Sequence, residues 1–476
     1  MSARNLAISK RGLTLGVALF LAGCASVTPQ QSIQAVNAAT GNFVGESVAL
    51  RATDPARADA REKVKSMLAA PLGQADAVKV MLLNSAAFQA LLAQGVADSA
   101  AAAQVGRIQN PSLSIERMTS AADIELTRVL SFGLLDILTL PQRNKIAEQA
   151  IDASHLQLAS TVVQAVANVK RAWVEAVAAE AAYHYAGQVM RSANASAELA
   201  ARMQRVGNLT VLARSSQQMY AADAAVNLAA AQHQRHKTRE GLIRLLGLRY
   251  DQQALLTLPK RLVMLPEAPR PVEEVNAQLV SARLDVRISA HQLNVAAKAQ
   301  GLGDVTSFTD IEWGIRRTST TERGDGAIAT SSGNEISIKL PLFDWGDLQR
   351  SRMAAQTLGA INAYEAAALM ASSEVREAYS AYRTAFDIAQ HYQQEIIPLR
   401  QRMSEENQYR YNGMMIGTLE LLADARMQVG VVQSALKATE QFWLAEAALG
   451  ERLISSPTAG FMLSGATASA ASAGGH

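Results

Sequence analysis

Between Pro141 and Pro259 the chain contains no proline, and the stretch is rich in Ala, Gln, Arg and Glu. These are strong helix formers, so from Gln142 to Arg205 nothing clearly stops a helix once it has started. At 1.5 Å per residue such a helix is about 96 Å long, whereas helices in compact domains average about a dozen residues. A chain that makes it does not fold into an ordinary ball. Gly207-Asn208-Leu209-Thr210 then breaks the pattern, and Thr210 stands where an N-cap opens a returning helix to about Leu246. The sequence predicts a very long antiparallel helical hairpin.

The same plan recurs downstream. A helix from about Gly346 to Tyr411 breaks at Asn412-Gly413-Met414-Met415-Ile416-Gly417, restarts at Thr418 and runs to about Arg452. Within it Val375, Tyr379, Tyr382, Phe386 and Ala389 recur at heptad spacing, as Val162, Val166, Val169 and Trp173 do in the first hairpin. Pro398 removes one backbone donor and is expected to kink the second long helix. Gly207 and Gly413 read as helix C-caps that need positive φ.

Ahead of each hairpin lie two short segments that alternate with period two. Leu113 and Ile115 alternate with Ser112, Ser114 and Glu116. Ile124, Leu126, Leu130, Phe132 and Leu134 alternate with polar residues, interrupted at Arg128 and Val129. Ile311, Trp313 and Ile315 form the third segment, and Ile336, Ile338, Leu340 and Leu342 the fourth. Each reads as a strand with one apolar and one polar face. A soluble sandwich buries the apolar faces; an outer-membrane barrel turns them to lipid and lines water with the polar ones. The strands alone leave both open.

The two halves read as a duplication. Ile115 matches Ile311 at an offset of 196; Leu130, Leu134, Asp136 and Thr210 match Ile338, Leu342, Asp344 and Thr418 at 208. The extra 12 residues are assigned to a loop from Thr318 to Gly333, rich in Gly, Ser and Thr. Equal offsets from strand to tip give two hairpins of matched length, as helices lying side by side in one tube require.

The N-terminus is a separate signal. Arg4, Lys10 and Arg11 precede an apolar run from Gly12 to Leu21, and Leu21-Ala22-Gly23-Cys24 closes it. The layout is that of a secretory leader, and its ending resembles a bacterial lipobox, in which the chain is cut after Gly23 and Cys24 carries acyl chains. Two or more chains give stable membrane anchoring. Removing the leader takes away three basic residues and no acids, so 45 − 3 = 42 cations face 42 anions, and nucleic-acid binding is not indicated. Cys24 is the only cysteine, which rules out an internal disulfide. No other stretch is apolar for long enough to span a membrane as a helix, so any crossing must use strands.

Together, these features resemble the TolC-like outer-membrane efflux proteins, in their lipoprotein branch. The strings that carry the resemblance are Asn110-Pro111-Ser112-Leu113, Pro341-Leu342-Phe343-Asp344, and Tyr411-Asn412-Gly413 followed by Leu419-Glu420-Leu421-Leu422-Ala423-Asp424-Ala425. It covers roughly residues 75 to 452. The fold it implies is mainly α with membrane β: long helical hairpins forming an α-barrel, plus four strands per chain in a twelve-stranded trimeric barrel. It also implies a homotrimer serving as passive exit duct for a periplasmic adaptor and an inner-membrane pump. Independently, four strands are too few to close a barrel, and apolar seams need partner helices.

The division that follows is 1–23 signal peptide, 24–75 lipid-anchored extension, 76–258 first repeat, 259–452 second repeat and 453–476 flexible tail. The extension is expected to be irregular at first. The resemblance makes the tips adaptor-facing, with Gly207, Asn208, Thr210, Tyr411, Gly413 and Thr418 exposed there. It places Glu420, with Asp424 one turn on, where some relatives carry an acidic entrance ring; the alternative is solvated acids favouring a helix dipole. His233 and His236 lie three residues apart amid Arg235, Lys237 and Arg239, with no third metal ligand nearby. No Walker, nucleophile-elbow or Cys-His pattern occurs, so no catalytic activity and no cofactor is expected beyond the lipid on Cys24. A periplasmic adaptor or a structural coiled-coil lipoprotein would share the anchor and a hairpin, but would not need two matched hairpins and four alternating strands.

Overall fold

A computed structural model describes residues 27–271, 282–306, 310–324 and 327–456. The leader, Cys24 and residues 457–476 lie outside the described residues.

Helices α1 (Pro29–Val44), α2 (Asp54–Met67), α3 (Gln74–Asn84) and α4 (Ala86–Gln104) precede strands β1 (Ser112–Thr119) and β2 (Asp123–Gly133). Then come α5 (Leu134–Arg205), α6 (Val211–Leu246) and the short α7 (Tyr250–Gln253). The second half holds α8 (Leu284–Thr306), β3 (Ile311–Glu322), β4 (Ile328–Ile338), α9 (Asp347–His391), α10 (Ile397–Asn412) and α11 (Thr418–Arg452). Segment 24–75, expected to begin irregularly, is largely the helices α1 and α2. Among the described residues no single helix is long and apolar enough to cross a membrane; only the pair α3–α4, bent by 63°, reaches that level together.

The chain divides into two compact units, each drawn from three stretches of sequence, and both long helical segments pass between them. The first unit (1–35, 94–157 and 285–369) contains the sheet. The second (36–93, 158–284 and 370–476) contains the helical turns.

In the first unit the strands form one antiparallel sheet in the order β1-β2-β3-β4. The expected loop at Thr318–Gly333 is mostly strand: β3 continues to Glu322, and β4 begins at Ile328. The run Thr318, Thr320 and Thr321 is β-branched and finds ladder partners in Thr127, Glu125 and Ile124, so composition misled where pairing decides. The helix expected to begin at Gln142 begins at Leu134 and passes through Pro141. Asp136 in its first turn favours the helix dipole and pairs with Arg143 at 2.7 Å, bracketing the proline.

In the second unit both predicted stripes are core. Val162, Val166 and Val169 are fully buried, and the Trp173 indole donates to the Leu72 carbonyl at 2.8 Å. Tyr382, Phe386, Ala389 and Phe442 form one cluster with edge-on and tilted rings. At Pro398 the helix widens: residues Tyr392–Ile396 form a π-helical turn just before it. The wider turn accommodates the missing proline donor. Of the stretch 453–476 expected to be flexible, Ser455 and Ser456 are buried and bonded to Ser160 (2.6 Å) and Glu374 (3.0 Å), while 457–476 lie outside the described residues.

Candidate functional site

Two regions are the candidates: the sheet in one unit and the helical turns in the other. In the sheet the register is unbroken, so Arg128 and Val129 cause no bulge. Residues opposite one another share a face. One face holds Leu113, Ile115, Ile124, Leu126, Leu130, Phe132, Ile311, Trp313, Ile315, Ile328, Ile336 and Ile338, together with Arg117, Arg128 and Arg317. Phe132 and Trp313 stack there at 6.1 Å. The other face holds Glu116, Asp123, Glu125, Glu312, Glu322 and Glu335, against a single arginine, Arg316, which pairs with Glu335 at 3.2 Å. Among the described residues nothing covers the apolar face: Leu113, Ile115 and Ile336 are each more than 60% exposed. Among the described residues, strands β1 and β4 each keep one unpaired edge.

The first helical turn is closed by Gly207 at φ +81°. The Asn208 N–H donates to the Met203 carbonyl (2.9 Å) and the Gly207 N–H to that of Gln204 (3.1 Å). This is the Schellman pattern, in which a left-handed residue lets the chain satisfy the last free carbonyls. Thr210 then caps α6, its hydroxyl accepting from the Ala213 N–H at 3.2 Å.

The second turn repeats that pattern one residue later than the sequence suggests. Met415 donates to Arg410 (2.8 Å) and Met414 to Tyr411 (2.9 Å). The left-handed residue is therefore Met414, at φ +61°, while Gly413 sits at φ −79° and does not need to be glycine. The N-cap is Gly417, and Thr418 is the first residue of α11. Residues in equivalent roles are thus Gly207 with Met414 and Thr210 with Gly417, an offset of 207, and the match of Thr210 to Thr418 is corrected. The sequence hides this because methionine, not glycine, fills the left-handed position. Tyr411, Met414 and Met415 are exposed, Met414 by 94%. Asn208, Thr210 and Gly413 are also exposed, and Thr418 is half-buried, its hydroxyl 3.4 Å from that of Tyr411.

The two acids suggested for an entrance ring part company. Glu420 is exposed. Asp424 is buried: its carboxylate accepts from Arg400 at 2.6 Å and from Asn407 at 2.8 Å. The Arg400 guanidinium also donates to the Asp424 carbonyl. A carboxylate so enclosed neither faces a lumen nor sits solvated at a helix end, so Asp424 is a structural lock between α10 and α11. Sequence reasoning missed Arg400, whose 24-residue separation from Asp424 is visible only once the hairpin closes. A companion contact joins the hairpins: Arg426 donates to buried Gln217 and lies over the Tyr220 ring at 4.3 Å.

At the other end of the second hairpin Glu374 accepts from Arg283 (2.9 Å), Arg452 (2.9 Å) and Ser456 (3.0 Å). Burial alone would raise its carboxyl, but these donors hold it below its ordinary value. Among the described residues no group of three His, Cys, Asp or Glu side chains is placed to hold a metal ion.

No sequence-family model matches this chain, and no curated protein matches it by sequence. Solved structures do match. The CmeC outer-membrane channel of Campylobacter jejuni aligns over 86% of this chain and 89% of its own at TM-score 0.67 and 13% identity. The outer-membrane protein VceC of Vibrio cholerae aligns over 82% and 96% at TM-score 0.63 and 15% identity. The open state of the MtrE outer-membrane channel of Neisseria gonorrhoeae aligns over 82% and 88% at TM-score 0.63 and 17% identity. The chain has the fold of these TolC-like outer-membrane channels.

Proposed function

We propose that this protein is the outer-membrane exit duct of a tripartite efflux system, a passive conduit and not an enzyme. One observation carries the reading: a four-stranded sheet that is apolar on one face, acidic on the other, uncovered, and unpaired at both edges. Open edges invite further strands, and an uncovered apolar face calls for lipid. Three copies joining β4 to β1 give twelve strands, enough to enclose water. The buried stripes of the two hairpins supply the helical wall, and the near-repeated order of elements is read as a duplicated unit. Cys24 carries the lipid in this reading. The exposed tips meet a periplasmic adaptor, which connects them to an inner-membrane pump, and Glu420 remains the acid available to an entrance.

Native mass spectrometry of the detergent-extracted mature chain tests the assembly. Three copies, each with lipid on Cys24, are expected, with ion conductance in planar bilayers. A monomer that conducts nothing overturns the reading. The tips are tested by Gly413→Arg, whose added Cβ meets only ordinary contact at 3.4 Å. Transport is expected to fail with trimer levels unchanged; normal transport refutes an adaptor role for that turn.

A further inference from the structure

The sheet register brings together three arginines that the duct itself does not require. Arg128 on β2 lies directly opposite Arg317 on β3. Arg117 on β1 lies opposite Leu126, two residues from Arg128 along β2, so it is diagonal to it on the same face. That face is the apolar one, where no acid occurs among the described strand residues; all six strand acids point to the other side. All three arginines are exposed, and among the described residues none makes an ion pair. By contrast, Arg316, their neighbour on the acidic face, is paired with Glu335.

Like charges placed directly across a ladder destabilise the pair, so this row needs an anion from outside the chain. Its depth says which. Arg317 is six residues from Ile311, about 20 Å of strand, or about 15 Å of membrane depth at a tilt near 40°. The apolar band of Ile311, Trp313 and Ile315 fills that depth, and exposed Leu340 and Leu342 follow β4 beyond its end. Exposed Phe343 and Trp345 follow, as aromatic residues do at a membrane boundary. Past the arginines the same face turns largely to hydroxyls, with Thr119, Ser319, Thr321 and Thr330 set among Leu126, Ile124 and Ile328. The arginines therefore stand where the continuous apolar band ends, at headgroup level. Guanidinium groups bind phosphate oxygens in bidentate fashion and carry their charge at every relevant pH.

We propose that Arg117, Arg128 and Arg317 form a binding row for the phosphate-bearing anionic headgroups of lipid packed around the barrel. The inference rests on the barrel reading above, and its test separates the two. Full-length protein in detergent is titrated with phosphatidylglycerol or with zwitterionic phosphatidylcholine, and bound lipid is counted on the trimer by native mass spectrometry. Wild type is expected to prefer the anionic lipid. Each Arg→Gln change should weaken that binding about fivefold, the effect of one basic residue at an anionic surface. Arg316→Gln, on the acidic face, should leave it unchanged. If one of the three single variants does not assemble, the other two still carry the test. A conducting trimer with equal affinity for both lipids, or with unchanged binding in the variants, overturns the row while leaving the duct intact. Absence of a trimer in wild type overturns the duct instead.

Discussion

The two helical turns share one backbone pattern and are held by different means. The first is relaxed: Gly207 takes its left-handed φ freely, and Thr210 supplies a side-chain cap. The second places Met414 in the left-handed region, at a cost of roughly 1–2 kcal/mol, and begins its return helix on Gly417, which offers no cap. What it has instead is the buried Arg400–Asp424–Asn407 cluster, several turns back along the hairpin. The first turn is set by its own residues, the second from behind. A turn that keeps strain and presents two exposed methionines is shaped by something besides its own stability, and under the proposed function that is contact with the adaptor.

The sharpest way to break this comparison is Asp424→Ala. It strands the Arg400 charge, whose side chain is only 8% exposed, and should cost about 3–5 kcal/mol. Hydrogen exchange should show protection lost over 397–424 and kept around the first turn. Equal loss at both turns would mean that the lock serves the whole bundle. Replacing both partners with apolar residues, Arg400→Met with Asp424→Leu, should recover most of the loss, because no charge is then left buried alone.

The far end of the second hairpin gives a pH test, with a smaller effect because Glu374 keeps 15% side-chain exposure. Its folded pKa lies below the ordinary 4.5, so its contribution is fully present above that value and is lost as pH falls through the lowered one. Melting curves between pH 7 and pH 3 should show a decline that Glu374→Gln flattens. A decline of the same size in the variant would assign it to other carboxylates.

Much of this fold was legible in the sequence, and what was not has physical causes. Stripes such as Val162–Trp173 and the alternating strands announce themselves because burial on one face imposes a period. Thr318–Gly333 misled because Thr and Ser read as loop by composition, while strand partners far along the chain decide the outcome. Pro141 misled because a proline reads as a helix start, whereas α5 already begins at Leu134. At the site, Thr210 was visible as a cap, since capping is local. The lock was not, since Arg400 and Asp424 meet only through the closed hairpin, and Met414 hid a left-handed position beside a glycine that does not use it.

Strain at that position predicts opposite signs for two exchanges. Met414→Gly should stabilise the second turn by about 1–2 kcal/mol, and Gly207→Ala should destabilise the first by a similar amount. Thermal melting of the two variants against wild type checks both. Matching signs would place the strain elsewhere than in φ.

The caps give the smallest and finest contrast. Thr210→Ala removes the acceptor for the Ala213 N–H and should cost about 1 kcal/mol. At the second turn the corresponding cap is already glycine, which is only a few tenths of a kcal/mol worse than serine. Gly417→Ser should therefore return just that much, and only if its hydroxyl reaches the backbone N–H three residues on, that of Glu420. Exchange rates at the Ala213 and Glu420 amides read each cap directly. A large gain from Gly417→Ser would show the second turn to be limited by its missing cap, and the view that it is held from behind by the lock would fail.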